Sequence, residues 1–205
     1  DDVAIRRVPT QRVVEQLSAQ VHQGVDAARH LQCGNDIAVQ ALLDAAAAFE
    51  DLAARTCPDG NDLTGQNLGS LTLEPGVYCF DGDAPLTGTL TLNGAGPWTF
   101  QVGGLLTIDA SAQVLAPDVT TTCAGSQVHW RVGGASATIG AAAAVIGNIL
   151  SQNDITLSAG ASLDGRAVAL DGGVAMENNQ VAACSFGDAF PPADAFKVTG
   201  GGQLS

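Results

Sequence analysis

Between residues 136 and 170 the chain reads SATIGAAAAVIGNILSQNDITLSAGASLDGRAVAL, and the reading repeats itself. GNIL, from Gly147, aligns with GRAV, from Gly165, and ITL aligns with VAM. The offset is 18 residues for Gly147 to Gly165 and for Ile139 to Leu157, and 19 for Ile155 to Val174. A repeat of this length, made of short alternating runs broken by glycine, is the pattern of a β-solenoid. At about 3.3 Å per residue one repeat closes a perimeter of roughly 60 Å, so three faces of about 20 Å take some five or six residues each. The runs LTLEPGVYCF, GTLTLNG, WTFQVGGLLTI and VHWRV carry the same texture back towards Asp62. Coils stacked in parallel about 4.8 Å apart set equivalent residues into ladders, and small residues and glycines then belong at corners and closely packed faces. The expectation is a mainly β chain, a right-handed three-faced solenoid over residues 62–184.

Residues 1–61 read differently. Val13, Leu17, Val21, Val25, Ala28 and Leu31 fall at intervals of three and four, which predicts a helix entered at Pro9-Thr10. Cys33-Gly34-Asn35-Asp36 breaks it. A second helix, from about residue 36 to 55, places Val39, Leu42, Leu43, Ala46, Phe49 and Leu52 on one face and is expected to pack on something flat. Residues 185–205 read as a tail, with Phe186, Phe190 and Phe196 expected to pack across the end or side of the solenoid or on a neighbouring chain.

Composition removes several functions. Hydrophobic residues are 46% and charged residues 14%, so the chain has the material for a core; with aromatics at 4%, that core is expected to be Val, Ile, Leu and Ala. Acidic residues outnumber basic ones 21 to 8, and the net charge of −13 opposes nucleic acid and anionic membranes. No apolar run reaches transmembrane length. The cysteines, Cys33, Cys57, Cys79, Cys123 and Cys184, form no C-x-x-C pair. Their wide spacing suits disulfides in an exported or cell-surface protein, with the pairing left open. Asp1-Asp2 reads as a terminus left after removal of an export signal.

Catalysis and metal binding find no support. His22 and His30 are eight apart, and His129 alternates with Val128 and Trp130, so it and Arg131 are expected to face solvent. No nucleophile elbow, phosphate loop or H-E-x-x-H occurs. Asp59, Asn61, Asp62, Asp81 and Asp83 read as turn residues rather than calcium ligands. Neither enzyme activity, cofactor nor metal is expected.

Taken together, LTLEPGVYCF, LTGTLTLNG, WTFQVGG, VHWRVGGASATIG, GNILSQNDITL and LDGRAVALDGGVAMENNQV resemble the ice-binding-like β-solenoid family of bacteria, fungi and algae. The resemblance runs from about Leu63 to Val181. It implies a discontinuous three-faced solenoid flanked by the second helix, export, no cofactor and no catalysis. Members that bind ice use a flat, rather hydrophobic face, often with small hydroxylated residues. Here the stretches before the GNI and GR corners hold Ala141, Ala143, Ala144, Ala159, Ala161 and Ser162, preceded by Ala110 and Ala112. These eight residues are the candidate flat face, and alanine in place of threonine gives up the hydroxyl. The helical start also departs from the family, whose members begin with strand-rich sequence, so an uncovered solenoid end is expected. On these two departures the leading expectation is a surface structural or adhesive protein that self-associates or binds a cell-surface or matrix partner. Its assembly contacts would be Val13, Leu17, Val21, Phe186, Phe190 and Phe196. Ice binding is the alternative.

Overall fold

Alternation with a period of two builds the elements. In VHWRV the residues Val128, Trp130 and Val132 turn inward and are buried, and in ITL the residues Ile155 and Leu157 do the same. The computed structural model describes residues 38–119 and 124–183. Cys33, Cys123, Cys184, Val13, Leu17, Val21, Phe186, Phe190 and Phe196 lie outside the described residues, and so does the expected first helix.

In chain order the coils run β1 (Thr72–Leu73), β2 (Gly76–Phe80), β3 (Ala84–Leu86); β4 (Thr89–Leu92), β5 (Trp98–Val102), β6 (Leu106–Ile108); β7 (Gln113–Leu115), β8 (Val128–Val132), β9 (Ala137–Ile139). They continue as β10 (Ala144–Ile146), β11 (Asn148–Ser151), β12 (Ile155–Leu157); β13 (Ser162–Asp164), β14 (Ala167–Ala169), β15 (Val174–Met176) and β16 (Gln180–Ala182). From β4 onward each strand pairs in parallel with the one three before it. Three sheets result: sheet A is β14-β11-β8-β5-β2, sheet B is β1-β4-β7-β10-β13-β16, and sheet C is β15-β12-β9-β6-β3. The fold is the β-solenoid that the repeat predicts, and the offset of 18 is the register Ala144↔Ser162 and Ile149↔Ala167.

Leu, Ile and Val fill the inside, but not alone. Tyr78, Phe100 and Trp130 stack behind sheet A, with ring centroids 5.7 Å and 4.1 Å apart, and Trp98 is fully buried beside them. The expectation of an aliphatic core is corrected here. The few aromatics of the solenoid are concentrated at one wall, where the indole N–H groups reach backbone carbonyls: Trp98 Nε1 donates to Leu73 O (3.1 Å) and Trp130 Nε1 to Ile146 O (3.0 Å). These contacts require glycine at the neighbouring corner. A Cβ on Gly147 would lie 2.7 Å from Trp130 Nε1, and one on Gly165 would lie 2.0 Å from Gly147 O.

The two ends differ. Ahead of β1, Leu63 and Leu68 are buried over the first coil, held by Leu63 N donating to Cys79 O (2.9 Å) and Leu68 N to Pro85 O (2.9 Å). At the other end β14, β15 and β16 are the last strands of their sheets among the described residues, and the inward-facing Val174 and Met176 are 39% and 38% exposed. Asp62 and Asp83 serve turns, as expected: Asp62 Oδ1 accepts from Thr64 N (2.9 Å) and Asp83 Oδ1 from Leu105 N (2.8 Å).

The chain divides into two compact units, Asp1–Asp44 and Ala45–Ser205, and the division falls inside helix α1, residues 38–53. In the first unit Gln40 Nε2 donates to Asp44 Oδ1 (2.8 Å), and Val39, Leu42 and Leu43 are exposed. The single apolar face expected for this helix is therefore buried only at its second half, at Phe49 and Leu52. In the second unit that half lies on sheet A, where Phe49 and Leu52 cluster with Leu150.

Candidate functional site

A solenoid presents its function on outward positions, because the inward ones are committed to packing. Sheet A has little to offer a partner. Its outward Gln101 donates through Nε2 to Leu52 O and Arg55 O, both at 2.7 Å, satisfying carbonyls at the end of α1. Arg55 Nη1 donates to Thr99 Oγ1 (3.0 Å), and the Arg131 guanidinium lies 4.2 Å from the Phe49 ring centre. A disulfide joins Cys57, just past the helix, to Cys79 on β2. His129 and Arg131 face away from the core as expected, yet they do not face solvent. Burial, and after it the Arg55 charge, holds the His129 imidazole below its ordinary value.

Sheet B is open. In β7, β10 and β13 the middle residue, Val114, Val145 or Leu163, is buried, and the flanking residues point out. Parallel register sets these into two columns. One runs Thr89, Gln113, Ala144, Ser162, Gln180; the other Thr72, Thr91, Leu115, Ile146, Asp164, Ala182. Rows are about 4.8 Å apart, and residues two apart on a strand are separated by roughly 6.6 Å. Because Ala144, Ser162 and Ala182 are short, the lower part of the sheet forms an open groove of about 350 Å³ lined by Leu115, Ile146 and these residues. Asp164 is the one charged residue in the two columns. Burial raises its carboxyl above the ordinary carboxylate value, and the Gly125 backbone N–H, bonding to it, pulls the other way.

The alanine run before sheet B is a corner, and this divides the eight candidate residues. Asp109–Ala112, Gly140–Ala143 and Ser158–Ala161 are four-residue turns, each closed by its last N–H on its first carbonyl at 3.1 to 3.2 Å. Their third residues, Ser111, Ala142 and Gly160, have φ of 60°, 56° and 72°. Neighbouring turns bond through Ser111 N to Ala141 O (2.9 Å) and Ala142 N to Ala159 O (3.1 Å). Ala110, Ala141 and Ala159 are exposed on this corner, and Ala144 and Ser162 are half-buried on the sheet. Ala112, Ala143 and Ala161 are buried and are no part of any face; the turn swings their methyls into the core.

The sequence reading missed a second register. On sheet C the outward residues Pro85, Thr107, Thr138, Thr156 and Ala175 align, with three threonines in succession. The triplets LTI, ATI and ITL carry that signal, hydroxyl flanked by two buried apolars. Exposed carboxylates border this sheet at Asp83, Asp109, Asp154 and Glu177.

Two outer sheets in parallel register, with the third closed by a helix, are what the comparisons with known proteins bear on. A family model described as ice-binding-like matches residues 5–182. The chain belongs to the ice-binding-like family. It is 42% identical over 150 residues to an ice-binding protein of Nostoc sp. (strain HG1), covering 71% of this chain and 53% of that protein. It is 31% identical over 134 residues to an ice-binding protein of Flavobacterium frigoris (strain PS1), covering 63% of this chain and 46% of that one. Among solved structures it resembles an ice binding protein from an Antarctic biological consortium, with a TM-score of 0.64, 34% identity, and coverage of 70% of this chain and 64% of that one. The structure of an ice-binding protein from the Antarctic ascomycete Antarctomyces psychrotrophicus gives a TM-score of 0.62 at 31% identity, covering 71% and 70%. The chain spans about half the length of the curated relatives it matches.

These findings overturn the expectation of a surface structural or adhesive protein. Family relatives across bacteria and fungi carry the ice-binding name. That expectation leaned on the helical start and on the alanines before the GNI and GR corners; of those alanines Ala141 and Ala159 form turns, Ala143 and Ala161 lie in the core, and Ala144 stands on the outer sheet. No helix among the described residues is long and apolar enough to cross a membrane.

Proposed function

We propose that this chain binds ice, through the outer surface of sheet B, by adsorption and without catalysis, outside the cell. The observation that carries this reading is the pair of outward columns on sheet B, set in parallel register and uncharged but for Asp164. Apolar surface so aligned orders the water against it, and hydroxyls at Thr72, Thr89, Thr91 and Ser162 anchor that water at fixed intervals. The rigid backbone ladder keeps the intervals constant, so water ordered on the sheet joins a crystal with little rearrangement. The family relatives named for ice binding supply the ligand class.

Thermal hysteresis, the gap between melting and freezing points in the presence of the protein, tests it. Ala144→Tyr raises a ring from the middle of sheet B and is expected to abolish hysteresis with the melting temperature of the protein unchanged. Thr138→Tyr, the equivalent change at the centre of sheet C, is expected to leave hysteresis intact. The threonine register Thr107, Thr138, Thr156 favours sheet C as a second reading, and the opposite result for the two variants would select it. The carboxylates bordering sheet C are the reason it ranks second, since each holds a hydration shell of its own.

A further inference from the structure

Asp164 has no packing reason to be charged. It ends β13, and its column neighbours are Ile146 on β10 and Ala182 on β16. Beside it, Ala144, Ser162 and Gln180 make up the adjoining column, and with Leu115 these residues line the groove. None of them is titratable. The short helix it reaches, Ala124–Gln127, carries no charge either, and the nearest charged residue in sequence is Arg166, past the Gly165 corner on the way to sheet A. A carboxylate here is half-buried in an otherwise uncharged, apolar part of the sheet.

We infer that Asp164 sets the extent and strength of the ice face, dividing sheet B into an ice-competent area and a short stretch beyond it. The inference rests on the sheet B reading above. An ionised carboxylate orients its own water with hydrogens towards the oxygens, and it gives up that shell only at a large free-energy cost. Water around it cannot take the arrangement imposed by Leu115, Ile146 and Ala144, so ordered water ends at β13. The Gly125 backbone N–H favours the charged form of this carboxyl against burial. Asparagine keeps an acceptor for that N–H while removing the charge, which makes Asp164→Asn the discriminating substitution. It separates the electrostatic role from the structural one.

The pH dependence follows with a definite sign. Burial holds the carboxyl of Asp164 above the ordinary carboxylate value in the folded protein, so acidification neutralises it. The face is then continuous at acid pH in the wild type and at all pH in the asparagine variant.

The experiment compares hysteresis of the full chain as wild type, Asp164→Asn and Ala144→Tyr, at neutral pH and near pH 3. At neutral pH Asp164→Asn is expected to show greater hysteresis than wild type, because the retained hydration shell of the charge is gone. Near pH 3 the two are expected to coincide. Equal hysteresis of the two at neutral pH, with Ala144→Tyr inactive, overturns the role of Asp164 and leaves the sheet B reading standing. Full activity of Ala144→Tyr overturns the sheet B reading and this inference with it. If Asp164→Asn melts early, Asp164→Ser and the wild-type titration against Ala144→Tyr read the same effect. A wild type with no rise on acidification then counts against the inference.

Discussion

Sheets A and B are made by the same coils, at the same spacing, from strands that follow one another directly in the chain, yet their outer surfaces are built for different neighbours. Outward on sheet A stand Thr99, Gln101, His129, Arg131 and Leu150, side chains that meet the second half of α1 or Arg55 just beyond it. Outward on sheet B stand Gln113, Ala144, Ile146 and Ser162, over which no helix lies among the described residues and which align in register. The inside is indifferent to this choice. A solenoid therefore separates the residues that fold it from the residues that use it more cleanly than a globular fold does. A substitution on one outer sheet is expected to disturb stability and on another only function.

The strongest way to break that contrast is at Phe49. Phe49→Ala empties the contact between α1 and sheet A, removing the ring under Arg131 and beside Leu150, and is expected to cost about 3–5 kcal/mol of stability. Chemical denaturation reads it, and a cost as small as that of Ala144→Tyr would erase the distinction between the two sheets. His129 sharpens the contrast by pH. Its imidazole titrates below the ordinary value of about 6.5 when folded, so the unfolded chain binds the proton first. Stability that is full above about pH 6.5 is expected to fall as pH drops through the folded-state value, and His129→Gln should flatten the curve in that window. The smallest effect belongs to the corner before sheet B. Ala142 has a φ of 56°, where glycine is at ease, and Ala142→Gly is expected to raise the melting temperature slightly, by up to about 1 kcal/mol in stability, with hysteresis unchanged.

Much of this was legible in the sequence. Residues separated by 18 became residues in register, and alternation within five-residue runs told inside from outside without exception at Val128 to Val132. The helix near residues 36–55 was also visible. What periodicity could not supply was the identity of the neighbour outside each strand. His129 looks solvated because the strand pattern places it outward, and only tertiary structure part-buries it near Arg55. The run Ala141 to Ala144 looks like four copies of one environment and is four different ones. Ala141 is exposed on the turn, Ala142 left-handed, Ala143 in the core and Ala144 on the sheet. The threonines of sheet C were overlooked because each sits alone in a triplet. They become a set only when strands half a hundred residues apart are stacked.

The constant register between coils has a consequence for descent as well as for structure. From Gly147 to Asp164 the chain completes one circuit and arrives where it began, one strand lower. A genetic event that copies or drops such a circuit leaves every remaining inward residue over its former neighbour, with no core to redesign. Each copy lengthens all three walls by one rung, roughly 4.8 Å. The reach of the molecule can thus be altered by counting, in whole steps, while the identity of the rungs changes separately. Size and chemistry become independently inheritable traits of the same protein.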